Sequence, residues 1–100
     1  MSLDSATAAI RAKAGISAPL GHRVQFDLGD DGVIFWDGTS TPAVIDNTAR
    51  DADTVMSLSL TNLEALIVGA LNPTMAYMTG KLKIQGSMGV ALKIGQLLED

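Results

Sequence analysis

The stretch Asn72–Met88 reads NPTMAYMTGKLKIQGSM and combines a helix, a strand and the start of another helix. Asn72 is a typical helix cap, and Pro73 suits the first helical position because the N–H that proline lacks has no partner there. This pattern predicts a short helix over Thr74–Thr79. Gly80 follows the helix and is expected to end it.

A strand is predicted immediately after this helix. Leu82 and Ile84 alternate with polar neighbours, which is the period of a half-buried strand with a polar outer face. Those neighbours are Lys81, Lys83 and Gln85. Gly86 breaks the strand pattern, Ser87 can cap a helix, and Met88–Leu98 is predicted to be the final helix.

The final helix has an unusually wide apolar surface. At about 100° per residue, apolar or small residues fill more than half of its circumference. They are Leu97, Val90, Ile94, Leu98, Ala91, Gly95, Met88 and Leu92, with only Gly89, Lys93 and Gln96 in the remaining sector. A helix that lies on a sheet needs a narrower stripe, so the surplus must face another helix, another subunit or a ligand.

The chain before Asn72 is predicted to supply a further helix at its start. Asp4–Ala14 is rich in alanine and places Leu3, Ala6 and Ile10 near one face, and Gly15 is expected to end the helix. The next residues, which include Pro19 and Gly21, form a loop.

Strands are predicted to follow this loop. Val24, Phe26 and Leu28 alternate with polar residues, which indicates a half-buried strand. The turn Gly29–Gly32 then leads to Val33–Trp36, which is apolar on both faces and therefore typical of a strand covered at least partly on each side.

Two more strands and a helix complete the middle of the chain. The strand candidates are Ala43–Ile45 and Thr54–Leu60, separated by the polar stretch Asp46–Asp53. The pattern Thr61-x-x-Glu64 resembles a capping box and predicts a short helix that ends at Gly69. The residues expected to point inward from this helix are Leu63, Leu66 and Ile67.

The segment from Asn72 onward resembles the C-terminal signature of the sterol carrier protein type two family. The likeness lies in the Asn-Pro start, the tyrosine-methionine pair before glycine, the lysine-flanked strand and the glycine before the terminal helix. Residues 20–71 resemble the family in the order of their predicted strands and helix rather than in residue identity. The family often has aspartate at the position of Ser87, but serine also caps helices, so this departure costs little for the fold.

The resemblance implies the α+β class, with a five-stranded, mainly antiparallel sheet covered by helices as a two-layer α/β sandwich. It also implies a hydrophobic tunnel that holds a sterol, a fatty acid or a fatty acyl chain, and no catalytic residues. Residues 1–100 are then expected to form a single free-standing domain. Relatives of this kind include lipid carriers and accessory proteins of quinone or lipid metabolism.

Small and flexible apolar residues on the last three helices are the expected walls of this tunnel. Methionine fills irregular space and tolerates changes in what it contacts, so it suits a variable apolar ligand. Ala91 is expected to face the tunnel, because small side chains would leave open space beside neighbouring methionines. The expected ligand-binding residues are Leu63, Ile67, Leu71, Met75, Met78, Met88, Ala91, Leu92 and Gly95.

Composition excludes several classes of function. The chain has no cysteine and a formal net charge of −4, so thiol chemistry is absent and a nucleic-acid partner is not expected. No apolar stretch is long enough to cross a bilayer, and the sequence therefore predicts a soluble, cytoplasmic protein. Of the residues, 47% are hydrophobic but only 4% aromatic, which makes the apolar mass aliphatic; a plain aliphatic core is the competing interpretation.

No residue pattern indicates catalysis, a metal or a cofactor. His22 is the single histidine and is interpreted as a surface loop residue. The aspartates after Asp27 do not form a calcium loop, because Gly29 and Gly38 stand where ligand oxygens belong. Gly80-Lys81-Leu82 lacks the spacing of a phosphate loop.

The lysines near the end of the chain suggest a further partner. Lys81, Lys83 and Lys93 could contact an anionic membrane surface, although a solvated strand face is the simpler interpretation. The surplus apolar surface could instead bury a dimer contact, so either a monomer or a weak homodimer is expected.

Overall fold

The computed structural model describes residues 2–16 and 20–99. The helices and strands of these residues are α1 (Leu3–Ile16), β1 (Arg23–Asp27), β2 (Val33–Asp37), β3 (Val44–Asp46), β4 (Thr54–Ser57), α2 (Leu60–Ile67), α3 (Pro73–Met78), β5 (Lys83–Gly86) and α4 (Met88–Glu99). A single 3-10 turn, Gly29–Asp31, joins β1 to β2 where the hairpin turn was predicted.

The strands form one five-stranded sheet in the order β3-β2-β1-β4-β5. Neighbouring strands run antiparallel except for β1 and β4, which are parallel. The predicted α+β class and the mainly antiparallel five-stranded sheet are therefore confirmed. The parallel pair at the centre makes the sheet mixed.

One face of the sheet carries the core. Ile45, Trp36, Val24 and Thr54 lie side by side across four strands, and all are buried. Helical residues such as Ile10, Leu63, Ala91 and Ile94 belong to the same buried cluster. The helices therefore form a second layer over this face.

The surplus apolar surface of α4 contacts other helices. Besides β4 and β5, α4 packs against α1, α2 and α3. Val90, Ala91, Ile94 and Leu98 are buried there. The sequence left open whether this surface faces another helix, another subunit or a ligand, and the structure shows that it contacts other helices.

The opposite face of the sheet is covered at β2. Phe35 is buried on this face, and the Arg50 guanidinium lies 5.1 Å from its ring centroid. The Arg50 backbone N–H donates to Gln25 Oε1 at 3.2 Å, which holds the connection between β3 and β4 against the sheet. The prediction that Val33–Trp36 is covered on both sides is confirmed.

Some predicted element boundaries were wrong. Helix α1 continues through Gly15 to Ile16, because glycine weakens a helix without ending it unless the backbone adopts a positive φ. Strand β4 stops at Ser57, and Leu60 already belongs to α2. Pro19 lies outside the described residues.

The predicted capping box of α2 was also wrong. Ser59 caps the helix, and its Oγ accepts a hydrogen bond from the Asn62 backbone N–H at 3.1 Å. Thr61 is already inside the helix, so its hydroxyl cannot serve as the cap. The inward positions of Leu63, Leu66 and Ile67 are confirmed.

The caps predicted for α3 and α4 are confirmed. Asn72 Oδ1 accepts from the backbone N–H groups of Thr74 and Met75 at 2.9 and 3.2 Å, and Pro73 is the first helical residue. Ser87 Oγ accepts from the Val90 backbone N–H at 3.2 Å.

Candidate functional site

A cleft of about 430 Å³ lies between the last turns of α1 and the connection from β2 to β3. A volume of this size is within the range of small-molecule sites in proteins. The residues that shape its walls include Arg11, Ala14, Leu20, Trp36, Pro42 and Ile45. The walls are thus mostly apolar, with one cationic side chain.

Trp36 borders the cleft from the centre of β2. The register pairs it with Val24 on one side and Ile45 on the other, so its ring belongs to the helix-covered face. The side chain is 1% exposed, and its Nε1 finds no hydrogen-bond acceptor in the part of the chain that the structure describes. A buried donor without a partner costs about 1–3 kcal/mol of stability.

Arg11 links α1 to the edge of the sheet. Its Nη2 donates to the Ile45 backbone oxygen at 2.9 Å, across the same region that the cleft occupies. The hydrogen bond holds the guanidinium beside the apolar wall. A positive charge therefore borders the cleft.

The residues that the sequence assigned to ligand binding lie in the helical layer and do not line this cleft. Leu63, Ile67 and Ala91 are buried in the core, and Leu71 and Leu92 are half-buried. None of the nine predicted residues lines the cleft beside Trp36.

The three methionines of the predicted site are on the surface. Met75, Met78 and Met88 have 54%, 72% and 37% of their area exposed. Gly95 is buried, and a Cβ built on it would lie 2.5 Å from Pro73 Cβ. The Pro73 ring therefore fills the space beside Gly95.

The residues around the cleft were missed by the sequence analysis, which treated Trp36 as an apolar strand residue. One signal was present: Trp36 is the single tryptophan of the chain, and its indole N–H needs an acceptor wherever it is buried. The partners of that N–H depend on how α1 crosses the sheet, which no local pattern specifies.

The ionisable groups of residues 2–16 and 20–99 include no cluster of histidine, aspartate or glutamate that could hold a metal ion. His22 is exposed in the turn before β1, which agrees with its interpretation as a loop residue. A hydrogen bond from the Thr39 hydroxyl is the main cause that lowers the pKa of Asp37, and one from Arg50 lowers the pKa of Asp46.

Most of the C-terminal third of the chain is a stretch of sequence without acidic residues. Asp27 from β1 borders the same shallow pocket as Lys81 and Lys83. Residues 65–98 contain three lysines and no aspartate or glutamate. Lys81, Lys83 and Lys93 are all exposed. The same stretch carries exposed apolar side chains, namely Val68, Met75, Tyr77, Met78 and Met88. We refer to these eight residues as the C-terminal surface.

The sequence matches the model of the SCP-2 sterol transfer family over residues 3–99. Hydroxysteroid dehydrogenase-like protein 2 from Bos taurus is 41% identical over 78 residues, which are 74% of this chain and 19% of that protein. Sterol carrier protein 2 from Bos taurus is 40% identical over 55% of this chain and 10% of that protein. The chain thus spans less than a fifth of the length of these curated relatives.

Solved structures share the fold at low identity. The palmitate complex of Sterol Carrier Protein-2 from Aedes aegypti superposes with a TM-score of 0.75 at 18% identity, covering 98% of this chain and 96% of that one. A ubiquinone synthesis protein, UbiJ-SCP2, gives a TM-score of 0.72 at 15% identity, covering 96% and 91%. Palmitated SCP2L2 from Aedes aegypti gives 0.68 at 19% identity, covering 100% and 96%.

Proposed function

This chain belongs to the SCP-2 sterol transfer family, and on that basis we propose that it binds one apolar lipid and carries it without changing it chemically. The observation that carries the proposal is the family match, which extends over residues 3–99. Two neighbours with the same fold are described with palmitate or as palmitated, which supports a fatty acid or fatty acyl chain as a ligand. A sterol is the other candidate that the family name suggests.

We propose that the lipid lies in a tunnel between the helical layer and the sheet. Its walls would come from α2, α3 and α4, through Leu63, Ile67, Leu71, Met75, Met78, Met88, Ala91, Leu92 and Gly95. Aliphatic and methionine side chains discriminate weakly between lipids of similar size, since one methylene changes binding by about 1–3 kcal/mol. Such a site would accept several related chains.

The proposed role is non-enzymatic. A hydrolase or transferase needs a nucleophile with an adjacent base or a bound metal. The exposed His22 has neither neighbour in the sequence, so we expect no turnover of acyl esters. Turnover that disappears in His22→Ala would contradict this expectation. The lack of cysteine favours a reducing compartment such as the cytoplasm as the proposed place of action.

We also propose that the C-terminal surface contacts an anionic membrane when the protein collects or delivers lipid. Its lysines would lie near lipid headgroups, and its exposed methionines and Tyr77 would contact the interface. The same apolar side chains could instead bury a homodimer contact. A concentration-dependent dimer in sedimentation that ligand leaves unchanged would favour that second use.

Ala91→Phe tests the tunnel. If the space beside Ala91 is fully packed, the ring overpacks the core and lowers the free energy of unfolding by about 1–3 kcal/mol. If the space is a tunnel, the ring fills it, so stability stays unchanged or rises while ligand is displaced. We expect the second result, measured by urea unfolding and by titration with a fluorescent fatty acid.

Ala12→Phe is the matched control for this variant. Ala12 is exposed on α1, so a ring there should affect neither stability nor lipid uptake. A large loss of stability in Ala91→Phe with lipid uptake intact would refute the tunnel at Ala91. Extraction of the purified protein with organic solvent, followed by mass spectrometry, would identify the lipid and would separate acyl chains from sterols and quinones.

A further inference from the structure

The indole N–H of Trp36 is a strong donor in an unusual situation. It is buried on the core face of β2, and no acceptor among the described residues reaches it. Buried tryptophan nitrogens usually have a partner, because the donor has lost its hydrogen bonds to water. The unpartnered N–H therefore lowers the stability of the fold, and an incoming acceptor could remove this cost.

The cleft that the Trp36 side chain borders has the form of a site for the end of an aliphatic molecule. Ala14, Leu20 and Ile45 supply apolar walls, and Arg11 supplies a positive charge beside them. An oxygen at the end of a hydrocarbon chain would match both features, since the chain would contact the walls and the oxygen would be near the cation and the donor. Plain hydrocarbon would match only the walls.

We infer that the cleft receives the oxygen-bearing end of an aliphatic lipid and that Trp36 Nε1 donates a hydrogen bond to that oxygen. This inference rests on the proposed lipid-binding function and adds the chemistry of the ligand's polar end. A carboxylate, an ester carbonyl and an alcohol share the required oxygen. A carboxylate gains most, because hydrogen bonds to charged acceptors are stronger and Arg11 is cationic.

A small movement must accompany binding, because Nε1 is covered in this structure. Part of the wall is the connection Ser40–Ala43, which belongs to neither a helix nor a strand. Thr41 and Pro42 in this connection are exposed. Because they lie outside the strands, their displacement would leave the pairing of β2 with β3 in place.

The single tryptophan makes the inference directly measurable. In a two-dimensional ¹H–¹⁵N spectrum of the labelled protein, one indole N–H resonance reports Trp36. Palmitic acid, hexadecanol and hexadecane have the same chain but different ends. We expect the indole proton to shift downfield with palmitic acid, less with hexadecanol, and not to shift downfield with hexadecane, because only the first two can accept its hydrogen bond.

Trp36→Phe and Ile45→Val separate the donor from the walls. Trp36→Phe removes the N–H and also part of the wall, so the affinity for palmitic acid should fall about 3- to 10-fold further than the affinity for hexadecane, which loses wall contacts alone. Ile45→Val trims the apolar wall and should weaken both ligands to a similar extent. Displacement of a fluorescent fatty acid measures each affinity.

The outcomes distinguish this inference from the proposed function. If palmitic acid displaces the fluorescent probe but the indole resonance does not move, or moves equally with hexadecane, the inference about Trp36 is wrong and lipid binding stands. If no lipid displaces the probe from the folded protein, both are wrong. If Trp36→Phe fails to fold, the spectra of the unaltered protein still decide the matter.

Discussion

Two glycines of α4 illustrate how strongly a single position depends on what surrounds it. A Cβ at Gly95 would lie 2.5 and 2.7 Å from the Cβ and Cγ atoms of Pro73, whereas at Gly89 the nearest atom would be Ser87 Oγ at 3.9 Å. Both residues are inside the same helix. The close contact brings α3 and α4 together and leaves no room for a side chain.

Gly95→Ala and Gly89→Ala should therefore change stability in opposite directions. Gly89→Ala should raise the free energy of unfolding by up to about 1 kcal/mol, because alanine is a better helix former. Gly95→Ala should lower it by about 1–3 kcal/mol, because the methyl group overpacks against Pro73. Urea unfolding of both variants provides the comparison, and equal stabilisation would show that α3 moves freely away from α4.

Single residues also show where sequence patterns succeed and fail. The caps Asn72 and Ser87 were predicted because each directly precedes its helix, and their hydrogen bonds confirm them. The start of α2 offered two hydroxyls, Ser59 and Thr61, each followed three residues later by a polar side chain. Which of the two hydroxyls caps α2 depends on where β4 ends. That end is set by the pairing of β4 with β1 and β5, which local sequence does not specify.

At the scale of elements, the connection between β3 and β4 has a structural role that its polar sequence did not indicate. Arg50 Nη2 donates to Asp46 Oδ2 at 2.6 Å while its guanidinium covers Phe35. This arrangement joins the connection to the face of β2 and β3 that lies opposite the helices. The sequence alone indicated only a polar stretch here. Phe35, which Arg50 covers, belongs to a strand 15 positions earlier, so no local pattern links the two residues.

The ion pair predicts a pH dependence. The hydrogen bond from Arg50 lowers the pKa of Asp46 in the folded state, so the charged carboxylate stabilises the fold above its ordinary pKa. That stabilisation is lost as pH falls through the lowered pKa. Asp46→Asn should therefore cost up to about 1 kcal/mol at neutral pH, and the difference from the unaltered protein should vanish in acid.

Asp30→Asn is a control of equal charge, because Asp30 is exposed in the turn between β1 and β2. It should leave the urea midpoint nearly unchanged at neutral pH. A constant difference between Asp46→Asn and the unaltered protein across the whole pH range would show that packing, and not charge, accounts for the effect.

At the scale of the whole molecule, charge is divided unequally. The chain has a net charge of −4, yet the C-terminal surface carries Lys81, Lys83 and Lys93 within a stretch that has no acidic residue. Binding to anionic vesicles should therefore depend on this surface despite the net negative charge. Each lysine near such a membrane contributes about 1 kcal/mol, and added salt should weaken the attraction.

Lys81→Gln with Lys83→Gln should weaken co-sedimentation with phosphatidylserine vesicles at low salt. Thr48→Glu with Ala49→Glu changes the net charge by the same amount but lies near β3, at the opposite edge of the sheet. The second pair should bind nearly as well as the unaltered protein. Equal losses in both pairs would mean that net charge alone governs binding and would contradict a membrane contact at the C-terminal surface.

The order and direction of the strands in the sheet could not be predicted from the sequence. Strand count and class followed from alternation and from the family resemblance. The parallel pairing of β1 with β4 joins residues far apart in sequence, such as Val24 and Thr54, so local sequence patterns do not predict it. The cleft beside Trp36 was missed for the same reason, since α1, β2 and the β2–β3 connection all contribute to it.

The central position of β1 has a consequence during synthesis on the ribosome. When the first half of the chain has emerged, β1 can pair with β2, but its other edge has no partner until β4 is made. The apolar side chains of Val24 and Phe26 also lack the residues of α2, α3 and α4 that belong to the same buried cluster. A chain interrupted before Thr54 would therefore expose both an open strand edge and an uncovered apolar face, the combination that promotes aggregation, so such fragments should be substrates for chaperones and proteases.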